Sequence, residues 1–256
     1  MTLRSLGIAS DILVGGTSQV IESHTDRMVL RTPEQPSYWF GNCVTFRGYS
    51  GDKDADISQF RADFPQAPHI CIQWDVPDLD ADLSEWGADG FQIDDTDVLV
   101  LDRLIRFPMP EGIAVRRVER AADWAQVADL QHRTGVEEDG HPEAAHLDYV
   151  ERRFDAHRAA SGAGRAKWFG AFDGDLLVAD MGLYSDGKIA RFQSVETRPS
   201  HRGRGICAAL VGEVAARAVA VHVVMIADRN GAPGRIYRRC GFRPSERLMA
   251  VVKRGY

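Results

Sequence analysis

Val195-Glu-Thr-Arg-Pro-Ser-His-Arg-Gly-Arg-Gly-Ile-Cys-Ala208 is the stretch on which the fold turns. The residues leading into it, from Ile189, read as a strand that ends at Thr197. A loop rich in arginine and glycine follows. From Ile206 to Ala220 the chain has no proline and several alanines, and it reads as a helix. Glycine at 203 and 205 lets the backbone curl so that several N–H groups converge, and the start of a helix adds partial positive charge. Arg198, Arg202 and Arg204 bring full charges beside it. Strand, loop and helix in this order suit a pyrophosphate, and two kinds of cofactor carry one.

A dinucleotide is the first. Gly203-Arg-Gly205-Ile-Cys-Ala208 fits the pattern GxGxxG/A, and Asp228 ends the next strand. The fit is poor. The first glycine of such a site follows its strand at once, whereas Arg198 to Arg202 intervene here. Only 28 residues remain after Asp228, too few for a second mononucleotide-binding half. Coenzyme A is the second, and the surrounding chain decides between them.

Phe107-Pro-Met-Pro-Glu-Gly112 reads as a linker, dividing an N-terminal domain, 1–106, from a C-terminal one, 113–256. In the second domain the pattern predicts a strand from Ile113 to Val118 and a helix from Asp123 to Arg133 that Gly135 ends. A second helix runs from His146 to Ala160. Strands follow at Trp168–Phe172 and Leu176–Leu183, joined at Asp173-Gly174-Asp175. After the helix from Ile206 come a strand at Val221–Ala227, a short helix at Arg235–Arg239 and a strand at Arg247–Val252. In the first domain, strands are expected at Met28–Arg31, Tyr38–Phe46, His69–Trp74 and Thr96–Leu101. Helices are expected at Ile57–Phe64 and Leu79–Trp86. Trp86-Gly-Ala-Asp-Gly-Phe91 and Tyr237-Arg-Arg-Cys-Gly-Phe242 sit 151 residues apart, and His69–Trp74 matches Ala220–Met225 at the same offset. This reads as a degenerate internal repeat.

Arg202-Gly-Arg-Gly-Ile-Cys207 closely resembles the Gln/Arg-x-x-Gly-x-Gly/Ala motif of the GNAT superfamily of acetyl-CoA-dependent N-acetyltransferases, and Pro199 is placed as in that family. Asn230, seven residues before Tyr237, with Gly241-Phe242 after it, resembles the family's Asn-x(6)-Tyr-x(3)-Gly-Phe ending. The order of elements from Ile113 to Tyr256 is similar too. The resemblance implies an α/β (α+β) fold, a mixed sheet flanked by helices, beside a smaller N-terminal α/β domain. Three departures stand out. Cys207 replaces Gly or Ala, so the loop is expected to sit slightly differently on the phosphate. Pro233 replaces Ala, so the helix there is expected to start late. The first domain has no RxxGxG loop, so one coenzyme A site is expected.

By this resemblance acetyl-CoA is the cosubstrate and no metal is needed. Val195, Thr197, Arg202, Gly203, Arg204, Gly205, Ile206, Cys207 and Asn230 would contact it. Tyr237 would face the departing sulfur as acid or hydrogen-bond donor; its other reading is a ring packing the helix on the sheet. An amine acceptor arrives protonated and must lose a proton before attack, and Glu196 is the candidate base. Period two puts Glu196 on a face with Ser194 and Phe192. Its other readings are a surface glutamate paired with Arg191 or Arg198, or a water chain in its place. Glu137-Glu138-Asp139 lies where the family closes over the acceptor, either attracting a cation or simply solvated. His132, His141, His146 and His157 share no ligand spacing on one face, so no metal is assigned.

Composition agrees with this class. Apolar residues make up 44% and charged residues 27%, which predicts a globular core. The longest near-apolar run, Ala218 to Ala227, falls well below the ~20 residues of a membrane helix. The four cysteines form no CxxC pair, which excludes a zinc ribbon and argues for a reduced, cytoplasmic protein without a signal peptide. Net charge is −6, against general nucleic-acid binding. It is uneven: residues 52–102 carry a balance of −12 and residues 191–256 a balance of +9. The expected protein moves an acetyl group to a primary amine of a small molecule or a protein by direct transfer, as a monomer or homodimer. The alternative is a non-catalytic acyl-CoA-binding module that acts as sensor or partner.

Overall fold

In chain order the computed structural model, which describes residues 3–254, contains α1 Leu6–Gly15, β1 Val20–Ser23, β2 Arg27–Arg31, β3 Cys43–Phe46, α2 Lys53–Asp63, β4 His69–Trp74, α3 Ser84–Ala88 and β5 Gln92–Leu101. It continues with β6 Ile113–Arg117, α4 Ala121–Glu137, α5 Glu143–Gly162, β7 Ala166–Asp173, β8 Leu176–Ser185, β9 Ile189–Thr197, α6 Ile206–Ala215, β10 His222–Asp228, α7 Ala232–Arg239 and β11 Phe242–Arg254. The series β1-β2-β3-α2-β4-α3-β5 recurs as β7-β8-β9-α6-β10-α7-β11. Pairing recurs as well: β3 runs parallel to β4, and β9 runs parallel to β10. The repeat read from the sequence is thus a repeat of elements, with α3 and α7 holding Trp86 and Tyr237.

The chain forms two compact units. One takes in the described chain up to Val98, Ile226–Gly231 and the stretch from Pro244 on; the other takes in Leu99–Met225 and Ala232–Arg243. In the first, β1, β2, β3 and β4 pair in that order, and the last strand of the chain, β11, pairs antiparallel with β4 from Ala250↔Gln73 to Arg254↔His69. Every residue of β4 is buried, as expected of a strand covered on both faces. Trp74 and Trp86 meet edge to face at 5.7 Å in its core. Neither α1 nor β1 was expected from the sequence. The Glu246 carboxylate accepts from the Leu6 and Gly7 amides, at 3.2 and 2.8 Å, and so caps α1 from a distant part of the chain.

In the second unit β6, β7, β8 and β9 form an antiparallel series, and β10 joins parallel to β9. Trp168 of β7 is the hinge of packing for α4 and α5: Trp124, Phe154 and His157 lie 5.4, 5.6 and 4.8 Å from it, ring to ring. Phe169, the next residue and so on the opposite face, receives Arg217, just beyond α6, at 5.3 Å.

Four expectations need correction. Gly135 does not end α4. The helix runs through it, because a Cβ there would lie 2.0 Å from His146 Nε2; the glycine makes room for the imidazole. α6 stops at Ala215, short of Ala220, where the chain ceases to have a face to bury: Val219 and Val221 are 82% and 74% exposed. α7 starts at Ala232, ahead of Pro233, because a proline in the first turn gives up no helical hydrogen bond. Tyr38–Phe46 is a tight turn at Trp39–Gly41 followed by β3.

Candidate active site

β9 does not run straight. Gln193 pairs with Gly182 but Glu196 pairs with Asp180, so three steps on β9 answer two on β8. The bulge centres on Ser194, whose φ is +49°. Gln131 of α4 donates to the Ser194 carbonyl at 3.2 Å and pins it. The extra residue reverses the expected face: Glu196 lies on the side of Gln193, Gly182 and Asp180, and not with Phe192. On its other edge the ladder with β10 ends at Val224↔Arg191. Phe192–Thr197, with Val195 and Thr197 half-buried, run on past it.

The loop then delivers the chain to α6. Gly203 and Gly205 have φ of +75° and +84°, and a Cβ at either would meet nothing, so the dihedral alone calls for glycine. Gly205 is the N-cap of this ten-residue helix and supplies no side chain to its amides. The first helical bond comes from Ala209 to the Gly205 carbonyl, at 3.1 Å. Ile206, Cys207 and Ala208 therefore present their amides at the positive end of the helix dipole. The corresponding helix of the first unit, α2, differs. Asp52 caps it, accepting from the Ala55 amide at 3.0 Å, and Asp54 and Asp56 occupy its first turn.

Arg204 is exposed, with no ion pair among the described residues. Arg202 uses four of its five N–H donors. Its Nη1 donates to both carboxylate oxygens of Glu138 at 2.7 and 2.6 Å, its Nη2 to Glu196 Oε1 at 3.1 Å, and its Nε to the Thr197 carbonyl at 2.9 Å. Glu196 thus pairs with Arg202, and not with Arg191 or Arg198. Its carboxyl is pushed up from the usual range by burial, against the Thr197 amide at 2.7 Å and the Arg202 charge, which pull it down. Across the ladder Asp180 is fully buried. Burial drives its carboxyl well above the usual range, and Trp168 Nε1 donates to it at 2.8 Å, which works the other way.

Tyr237 is 5% exposed. Burial, then the charges of Cys207, Glu196 and Cys240, raise its phenol, with Arg191 opposing, so it is neutral over the ordinary pH range. Its hydroxyl has no hydrogen-bond partner among the described residues and is not one of their fully buried unpartnered polar atoms. Burial pushes the Cys207 thiol up to about 12 and the Cys240 thiol up to about 11, so neither is a ready nucleophile. Asn230 is not part of the second unit. It belongs to the first unit, is exposed, and its amide donates to Asp228 Oδ1 at 2.7 Å.

The second unit therefore brings together ten of the eleven residues singled out by sequence. It adds Asp180, Gln131 and Trp168, which the sequence reading passed over, and gives Glu138 a partner it did not foresee. A signal for Asp180 was present: an aspartate inside the apolar run Leu176–Leu183 needs a reason to be there. His132 and His141 each stack on His146, with ring centres 5.5 and 4.7 Å from it. Among the described residues no group of side chains is arranged to hold a metal, and no helix is long and apolar enough to cross a membrane.

Residues 124–242 match the model of the acetyltransferase (GNAT) family. No curated protein matches the chain. Several solved structures do. A functionally unknown conserved protein from Staphylococcus epidermidis ATCC 12228 aligns at 14% identity and a TM-score of 0.76, over 96% of this chain and 97% of that one. A GCN5-related N-acetyltransferase from Kribbella flavida aligns at 17% and 0.67, over 98% of each. A tandem GNAT protein from the clavulanic acid biosynthesis pathway aligns at 13% and 0.54, over 93% and 84%. At these identities the likeness is one of fold.

Proposed function

We propose that this chain, whose residues 124–242 form a GNAT-family acetyltransferase domain, moves an acetyl group from acetyl-CoA directly to a primary amine of a small molecule or a protein. Acyl transfer is the chemistry of that family, and the carrier, acceptor and route are our reading. The observation that carries it is the uncapped start of α6 at the end of a strand that has left its neighbour.

The residues present fit coenzyme A. The Ile206, Cys207 and Ala208 amides would hold its pyrophosphate, with Gly203 and Gly205 letting the backbone approach and Arg204 adding charge. Val195 and Thr197, on the run past the ladder, would bond the amides of the pantetheine arm. Acetyl-CoA supplies an acyl group activated as a thioester. Glu196 would take a proton from the acceptor's ammonium, for which a raised carboxyl is the better base. The Tyr237 hydroxyl, neutral and unpartnered, would donate to the sulfur as it leaves. Direct transfer is supported by Cys207 and Cys240, whose protonated thiols do not suit a covalent acyl-enzyme.

Incubation with acetyl-CoA and a panel of primary amines, following thiol release, tests the proposal. Amine-dependent release supports it. Binding of coenzyme A with no release for any amine would favour the non-catalytic module.

A further inference from the structure

Arg202 stands where the sequence motif would put a phosphate contact, yet all three of its nitrogens are already in use. Both Glu138 oxygens, Glu196 Oε1 and the Thr197 carbonyl take its donors. Glu138 is the C-cap of α4, so this one guanidinium joins the end of that helix to the end of β9. Four of its five N–H donors are thus committed to these three groups, and the fork that would grip a phosphate through two bonds faces the carboxylates instead.

We propose that Arg202 is a positioning residue for Glu196 rather than a ligand of the coenzyme A phosphates, with Glu138 as the counter-charge that holds it there. The inference rests on the reading of Glu196 as base. Charged and titratable groups face Glu196 from every element around it: Asp180 of β8, Glu138 at the end of α4, Arg202, Cys207 of α6 and Tyr237 of α7. Of these only Arg202 is cationic. It fixes which way the carboxylate points and keeps it ionised beside a second, buried carboxyl. Glu138 does the reverse, both by its own charge and by drawing the guanidinium toward itself.

The two partners therefore have opposite effects, which a merely structural clasp would not produce. Carbon-13 NMR of the side-chain carboxyls would follow the Glu196 titration directly, without turnover. In Arg202→Gln it moves up by about one pH unit or more, and in Glu138→Gln it moves down. Calorimetry with coenzyme A gives an affinity for Arg202→Gln close to that of the wild type. Arg202→Lys, which keeps the charge and loses the fork, serves if the glutamine variant does not fold, and its titration lies between the two. A loss of about tenfold or more in coenzyme A affinity, the size of one charged hydrogen bond, would overturn the proposal. So would a Glu196 titration that stays in place. If instead Glu196→Gln leaves the acid limb of the pH–rate profile unchanged, the assignment of the base fails, and the NMR titration still decides the role of Arg202.

Discussion

Asp180 and Glu196 oppose each other across the β8–β9 ladder, so two carboxyl groups share one face of a covered sheet. Asp180 is the deeper, fully buried, with the Trp168 ring lying across Gly182 beside it: a Cβ on Gly182 would come 2.3 Å from that ring. Its carboxyl value lies well above the 3.8 of an unfolded aspartate. The folded state thus holds the proton more tightly, and wild-type stability falls as pH rises from about 4 through the raised value. Asp180→Asn removes this titration. Its stability relative to wild type should grow with pH, by up to about 1.4 kcal/mol per pH unit. Denaturant unfolding at a series of pH values checks this, and a difference independent of pH would mean that Asp180 is ionised when folded.

Gly205→Asp tests the anion cradle. Aspartate is a favoured N-cap and tolerates a left-handed φ at a cost of about 1–2 kcal/mol, so α6 should persist. Its carboxylate would set a negative charge at the amides of Ile206 to Ala208, as Asp52, which accepts from the Ala55 amide, does at the start of α2. Coenzyme A binding should weaken by about tenfold or more in calorimetry while circular dichroism stays unchanged. Undiminished binding by the folded variant would remove α6 from the site.

Tyr237→Phe keeps the ring and removes one hydroxyl that has no hydrogen-bond partner among the described residues. With acetyl-CoA and a productive amine, kcat should fall by about 10²–10⁴-fold and coenzyme A affinity should hardly change. An unchanged kcat would leave Tyr237 as a packing residue.

Only one of the two repeated helices is free to receive a phosphate. The start of α2 is closed by Asp52 and made repulsive by Asp54 and Asp56. Calorimetry should therefore give one coenzyme A per chain, and two equivalent sites would contradict this.

Much of this was legible because it depends on local chemistry. Gly203 and Gly205 announce a turn that other residues resist, and Ile189–Thr197 and His69–Trp74 form strands with the bounds read from their pattern. What escaped depends on contacts distant in sequence. Gly135 looks like a helix terminator until His146 is placed over it. The bulge at Ser194 has no sequence signature, yet it decides which side Glu196 faces. α1 is fastened by Glu246, 239 residues away from Gly7, which no window along the chain could reveal. Arg202 shows the same lesson at the site: the motif predicts its position, and only Glu138 shows where its charge is spent.

Coenzyme A added to the intact chain should reveal, by ¹H–¹⁵N amide chemical-shift mapping, whether the start of α6 holds its pyrophosphate. The largest shifts are expected at Gly203, Gly205, Ile206, Cys207 and Ala208, with the α2 amides from Lys53 to Ala55 unmoved. Saturable binding that leaves the α6 amides in place, or moves those of α2 instead, would contradict that placement.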